Sequence, residues 1–145
     1  MNASYAEDIR SLLRRESGRL QRISEEEASV PRAPGKWSRK EVLGHLVDSA
    51  LNNHQRFVRA QLANELDFPG YSQNEWVSAQ GYAVEGWASL VTLWEVINRH
   101  VAHVVERIPP ARLSVPCRIG SGAPMTLDAL IADYLRHLNH HLEQI

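Results

Sequence analysis

Four stretches of this chain place apolar side chains at the three- and four-residue intervals of an amphipathic helix. The first covers about residues 4–27, where Ile9, Leu12, Leu13, Leu20 and Ile23 line one side and Arg and Glu fill the other. The proline-rich run from Val30 to Gly35 must end it, because proline cannot continue a helix and restrains the residue before it. The second opens at Trp37-Ser38-Arg39-Lys40-Glu41-Val42. Ser38 can cap free backbone N–H groups while Glu41 reaches back, and Trp37 against Val42 supplies the matching hydrophobic staple. This helix should run to about Leu62, with Val42, Leu43, Leu46, Ala50, Phe57 and Ala60 on one face and Asn53 among them. The third has the most regular period, through Leu90, Trp94, Ile97, Val101, Val104 and Ile108, and stops at Pro109-Pro110. The fourth, 127–145, follows Thr126 as its cap and turns Leu127, Leu130, Ile131, Tyr134, Leu138 and Ile145 inward.

The connections are unequal. Between residues 63 and 85 the periodicity breaks into a turn at Asp67-Phe68-Pro69-Gly70-Tyr71 and then Gln73 to Val77, enough for one or two helical turns. Bundle helices are usually joined by two to eight residues, so a crossover of about twenty implies a return along the whole bundle or a functional lid, packed down by Tyr71 and Trp76. Leu113 to Ile119 can be extended, and Gly120-Ser121-Gly122 reads as a turn, since it lacks the lysine and glycine spacing of a phosphate loop. The expected architecture is all-α: one four-helix-bundle domain over residues 1–145, with a long crossover between the second and third helices.

Polar residues interrupt two of the apolar faces. Beside the stripe of the second helix lies a row spaced by four, three and four, His45, Ser49, Asn52 and Arg56, while Asp48 and Arg59 are expected on the solvated side. Gly44, next to His45, leaves room for another backbone or an ion to come close. On the fourth helix His137 and His141 stand one above the other, four residues apart, so their imidazoles can share an ion. His141 falls among the apolar residues, His137 on their flank, and His140 about 100° further out. A histidine pair on a helix is more often ordinary surface or packing, the reading given to His100 and His103, and a metal site needs a third ligand. His45 could supply it, because bundle metal sites are built from facing helices. Three neutral imidazoles would leave a divalent ion with its charge and at least one open position, the arrangement of a catalytic site. Zinc, nickel, iron and manganese all accept imidazole. Ser49, Asn52 and Arg56 are then pocket candidates, able to orient a carboxylate or other polar part of a substrate.

Composition narrows the partners. A length of 145 residues suffices for a core without crosslinks, and a net charge of −1 carries no basic field for nucleic acid or an anionic membrane. No apolar run approaches a spanning segment and the N-terminus has no apolar signal region, so a cytoplasmic protein is expected. Cys117 is the only cysteine, which rules out an intrachain disulfide and a multi-cysteine zinc site; it reads as a small apolar filler.

The segments WSRKEVLGHLVDSALNNHQRF and MTLDALIADYLRHLNHHLEQI resemble the second helix and the final His-x-x-x-His helix of the DinB/YfiT-like four-helix-bundle family. The PGYSQNEW crossover and the loop before Thr126 fit as well, so the likeness covers nearly the whole chain from Trp37 onward. It implies a metal held by His45, His137 and His141, often a homodimer, and a class described as metal-dependent hydrolases or transferases of low-molecular-weight thiols in bacteria. Two functional classes follow. One is an enzyme whose ion activates a thiol or water toward a small substrate; the other is a non-catalytic dimeric bundle that binds a metal or small ligand. An open pocket favours the first, and a pocket plugged by Trp76, Tyr71 or a neighbouring chain favours the second.

Overall fold

The computed structural model describes residues 2–145. Six helices follow in order: α1 (Asn2–Gln21), α2 (Glu25–Ser29), α3 (Arg39–Gln61), α4 (Gln73–Gln80), α5 (Trp87–Glu106) and α6 (Leu127–Leu142). The four long ones, α1, α3, α5 and α6, form the bundle, and α2 and α4 belong to its connections. The first helix is shorter than its periodicity suggests. It stops at Gln21, because Ser24 takes an extended backbone and its hydroxyl accepts the Glu27 N–H, starting a separate turn with three glutamates at its positive end. One of those, Glu25, pairs with the buried Lys40 of α3 and also accepts the Trp87 N–H at 2.8 Å, supplying the cap that α5 lacks at Gly86. The capping box of α3 forms as the sequence indicates, with Ser38 and Glu41 exchanging hydrogen bonds.

Around the bundle α5 lies between α1 and α3, and α6 packs on α3 and α1. End-to-end contacts set the directions. Gly44 near the start of α3 meets Tyr82 just before α5, and further along His54 faces His100, so α3 and α5 run parallel. Arg39 bonds to the carbonyl of Ile145 at 3.1 Å, so α6 runs antiparallel to α3. Of the two alternatives for the crossover, the first therefore holds: parallel neighbours require a return along their full length.

That return is built. A three-stranded sheet, β1 (Leu66–Phe68), β2 (Pro116–Ile119) and β3 (Met125–Thr126), closes one end, with β1 parallel to β2 and β2 antiparallel to β3. The extended reading of 113–119 is met only from Pro116 on, in β2, because Leu113 and Ser114 turn after a short 3-10 helix at Pro110–Arg112, whereas β1 is too short for alternation to reveal. Cys117 is buried in β2, as a filler should be. The buried arc of α5 is wider than the expected stripe. Ile97 and Val104 are only half-buried, while Val91, Asn98, Ala102 and Val105 are buried, because α5 packs on α1 and α3 at once. Asn98 is satisfied in the core: the Tyr134 hydroxyl donates to its Oδ1 and its Nδ2 donates to the Trp94 carbonyl at 2.9 Å.

Asp48 departs most from expectation. It is not on a solvated face but fully buried, accepting hydrogen bonds at one oxygen from Tyr82 Oη at 2.7 Å and Gln80 Nε2 at 2.8 Å. Gly44, one turn earlier, is the reason. With no side chain there, the Tyr82 ring lies directly on α3, and a Cβ at this position would come within 2.2 Å of it. The close approach that Gly44 permits is thus made by an aromatic ring, not by a backbone or an ion. Burial pushes the Asp48 carboxyl above its ordinary pKa, against the two donors that lower it.

Alanine in place of glycine inside a helix usually stabilises by up to about 1 kcal/mol. At Gly44 the sign should reverse, because the Tyr82 ring must move: Gly44→Ala is expected to destabilise by on the order of 1–3 kcal/mol. Urea unfolding checks this, and a variant as stable as wild type would show that the crossover is not seated on α3.

Candidate metal centre

The antiparallel packing of α3 and α6 brings His45, near the start of one, to His137 and His141, near the end of the other. One ligand atom from each lies within 4.8 Å of the others, and the ring centroids are 4.4 to 4.9 Å apart. His45 Nε2 and His137 Nε2 stand 3.0 Å apart. His45 is buried and the other two half-buried, so the cluster opens to one side. His140 is exposed, beyond the cluster. His100 and His103 are exposed on α5, as ordinary surface histidines.

Neighbouring groups hold the rings from behind. His137 Nδ1 is 3.4 Å from Ser49 Oγ, and His141 Nδ1 is 2.8 Å from Gln144 Oε1. A carboxamide oxygen only accepts, so His141 carries its proton on Nδ1 and has Nε2 free as a lone-pair donor. The Trp37 ring lies 5.2 Å from His45, so the staple residue of the α3 cap also walls the cluster. Gln144 was not among the sequence candidates. Its position three residues after His141, on the same helical side, is the signal that could have found it.

Burial, followed by the charge of its neighbours, pulls the His45 pKa down to about 3, and burial with the His141 charge pulls His137 to about 4. Both rings are therefore neutral near pH 7, the state in which imidazole binds metal. Three converging nitrogens, with outer partners on two of the rings, fit a divalent ion held by three histidines with positions left open. His45 Nδ1 is buried with no partner.

The pocket candidates divide. Ser49 is buried and touches His137. Asn52 is half-buried and donates to the Asp48 carbonyl at 2.8 Å. Arg56 lies further along α3, buried, with its guanidinium 5.3 Å above the Phe68 ring. Asn53, read from the sequence as a polar residue caught in the core face, links the two parts: its Nδ2 donates to the Ser49 carbonyl at 2.8 Å and to Ser49 Oγ at 3.3 Å. Of the two aromatic residues that could plug the pocket, Trp76 leans against Tyr71 with ring centroids 4.8 Å apart and is 40% exposed, while Tyr71 is half-buried.

Because the folded pKa values of His45 and His137 lie below the usual 6.5, the unfolded chain binds more protons once pH falls below that value. The metal-free protein should therefore lose stability steadily from about pH 6.5 down to the folded pKa values, by at most about 1.4 kcal/mol per pH unit for each ring. Denaturant midpoints with a chelator at pH 7 and pH 5 check this, and equal midpoints would mean that the rings are solvated.

A sequence profile of the DinB superfamily matches residues 9–145. Among curated relatives, a protein of Halalkalibacterium halodurans described as a candidate metal-dependent hydrolase is 26% identical over 109 residues, 75% of this chain and 63% of its own. The chain thus spans less than two thirds of that relative. A similarly described protein of Bacillus mycoides is 22% identical over 97% of this chain and 81% of its own. Among solved structures, YfiT from Bacillus subtilis, described as a probable metal-dependent hydrolase with an unusual four-helix bundle topology, superposes with a TM-score of 0.84. It has 14% identity, with 97% of this chain and 81% of that one covered. The mycothiol-dependent maleylpyruvate isomerase superposes with a TM-score of 0.80 and 14% identity, over 98% of this chain and 59% of that one. At such identity the two structures speak for the fold, whereas the profile spans nearly the whole sequence: the chain belongs to the DinB superfamily.

Proposed function

We propose that this protein is a metal-dependent enzyme in which His45, His137 and His141 hold one divalent ion, zinc, nickel, iron or manganese. The observation that carries the reading is the convergence of three histidines, two of them held neutral, with Ser49 and Gln144 fixing two rings from behind. An ion so held supplies Lewis acidity and lowers the pKa of a water or thiol presented to it. The descriptions of the curated relatives support metal-dependent chemistry, and the mycothiol-dependent isomerase of the same fold supports a low-molecular-weight thiol as one possible nucleophile.

The chain's own residues have separable tasks. With Nε2 given to the ion, His137 carries its proton on Nδ1 and donates it to Ser49 Oγ, which can accept from Asn53 as well. Gln144 does the same for His141. Asn52, with its amide nitrogen tied to the Asp48 carbonyl, keeps its side-chain oxygen for a donor on the substrate. Next to the cluster, a cavity of about 490 Å³ is lined by Trp37, Gln73, Asn74 and Gln144 together with Arg32 and Lys36. Trp37 and Gln144 belong both to this cavity and to the shell around the histidines, so a small substrate entering there would approach the residues that would hold the ion. The reading includes a cytoplasmic home and a homodimer; no helix among the described residues is long and apolar enough to cross a membrane.

His141→Ala should lower zinc affinity by more than about 100-fold and remove metal-dependent turnover of thiol and electrophile panels, since outer-shell changes alone cost 10–100-fold. Far-UV circular dichroism of the metal-free variant should match wild type, because none of the three histidines belongs to the apolar core and a chain of this length can be held by that core. Unfolding of the variant would make that histidine structural and move the non-catalytic reading ahead. For assembly, light scattering at micromolar concentration should return about twice the chain mass of 16.4 kDa; a concentration-independent monomer counts against the dimer.

A further inference from the structure

Arg56 is a charged group placed where charge is costly. It is 8% exposed, its Nε has no acceptor, and among the described residues it forms no ion pair. Its single hydrogen bond, from Nη1 to Asn53 Oδ1, is long at 3.4 Å. Asp133 on α6, whose charge reaches Arg56, is already bridged to Arg136. Arginine does not escape burial by losing its proton, so an unpaired guanidinium here costs several kcal/mol unless an anion joins it. Phe68 covers a face of the guanidinium and leaves its N–H edge to do the binding.

The surroundings say which way it faces and what it fits. The contact with Asn53, three residues earlier, shows the side chain folded back toward the start of α3, the end that carries His45. The Asn53 amide is oriented by its 2.8 Å bond to the Ser49 carbonyl, so its oxygen faces Arg56 and its nitrogen faces Ser49. A polar row therefore runs Arg56, Asn53, Ser49, His137, with steps of 3.4, 3.3 and 3.4 Å. The neighbours of Arg56 are neutral amides and a tyrosine hydroxyl, and the other cation nearby, Arg59, 6.0 Å from the same Phe68 ring, is exposed and bonded to Gln55. That environment matches one negative charge on a planar group; a phosphate dianion would want another positive partner.

We propose that Arg56 is the subsite for a substrate carboxylate, so that the substrate is an elongated small acid bound along this polar row with its reacting end at the three histidines. Eleven residues of helix separate His45 from Arg56, roughly 16 Å along the axis, and the folded-back side chain recovers about 5 Å. The acid group then lies roughly 10 Å from the reacting end, the length of a chain of about eight bonds. The inference rests on the three histidines being the reaction centre, but the carboxylate subsite can be tested without it.

The test is a titration of the full-length, nitrogen-15-labelled protein with sodium propanoate, inorganic phosphate and chloride at constant ionic strength, following the arginine Nε–H resonances. Arg56→Lys identifies the Arg56 signal. Propanoate should shift that signal saturably and at least tenfold more tightly than phosphate, while the exposed Arg59 does not respond. In the variants, which lack that signal, the side-chain amide resonances of Asn53, the hydrogen-bond partner of Arg56, report the response: Arg56→Gln should abolish it, and Arg56→Lys should weaken propanoate binding about tenfold by replacing a planar fork with a point charge. In His45→Ala the propanoate response should persist, so loss of metal binding in that variant together with an intact response would separate the two readings. The proposal is overturned if the Arg56 signal does not move, if phosphate binds as tightly as propanoate, or if the response survives in Arg56→Gln. Should Arg56→Gln fail to fold, the wild-type titration decides alone.

Discussion

The antiparallel packing of α3 on α6 is the constraint on which the rest of this protein depends, because it makes one place out of histidines 92 residues apart in the chain. Two antiparallel helices bring the beginning of one to the end of the other. His45 sits within two turns of the start of α3, and His137 and His141 lie in the last two turns of α6, so any other pairing of these helices would scatter the nitrogens. The pairing is secured at its ends. Arg39 in the first turn of α3 binds the Ile145 carbonyl, and in the core the Phe57 ring of α3 meets the Tyr134 ring of α6 edge-on at 5.8 Å.

A second consequence follows from the parallel course of α3 and α5. The chain must travel the length of the bundle between them, and that passage runs over the flank of α3 that bears the polar row. The crossover is fastened at one end by strand pairing of β1 with β2 and at the other by Tyr82 on Gly44 and Asp48. Between these anchors it presents Phe68 and Tyr71 to the neighbourhood of Arg56, and Gln73 and Asn74 to the cavity beside Trp37. Topology demands the length of this segment, and its contacts lay it as a cover along α3 from Gly44 to Arg56.

The polar groups beneath that cover are graded by how well they are satisfied. One oxygen of Asp48 has two donors while the other has none, Asn53 is held by backbone, and His141 is tied to Gln144. His45 Nδ1 and Arg56 Nε, by contrast, are buried without partners. Folding alone does not repay such groups, and a binding site is where an unpaid desolvation cost can be recovered by a ligand.

Much was legible before any tertiary contact. The apolar periodicities placed three of the four helices within a few residues of their observed ends and overran only the first, because a helix that buries a face needs a three-to-four spacing whatever it packs against. The Ser38–Glu41 capping box is local and was readable as such, and so was the i, i+4 pairing of His137 with His141. The break of the first helix at Ser24 was not, since its apolar spacing continues through Ile23 and only the cap ends it. Nor was the burial of Asp48, which depends on a tyrosine 34 residues away filling the space over Gly44. The same holds for Gln144 behind His141 and for the isolation of Arg56. Sequence spacing specifies which residues share a face, but which partner covers that face is a matter of topology. The pKa, satisfaction and reach of a side chain follow from the partner, so these were decided only when the helices came together.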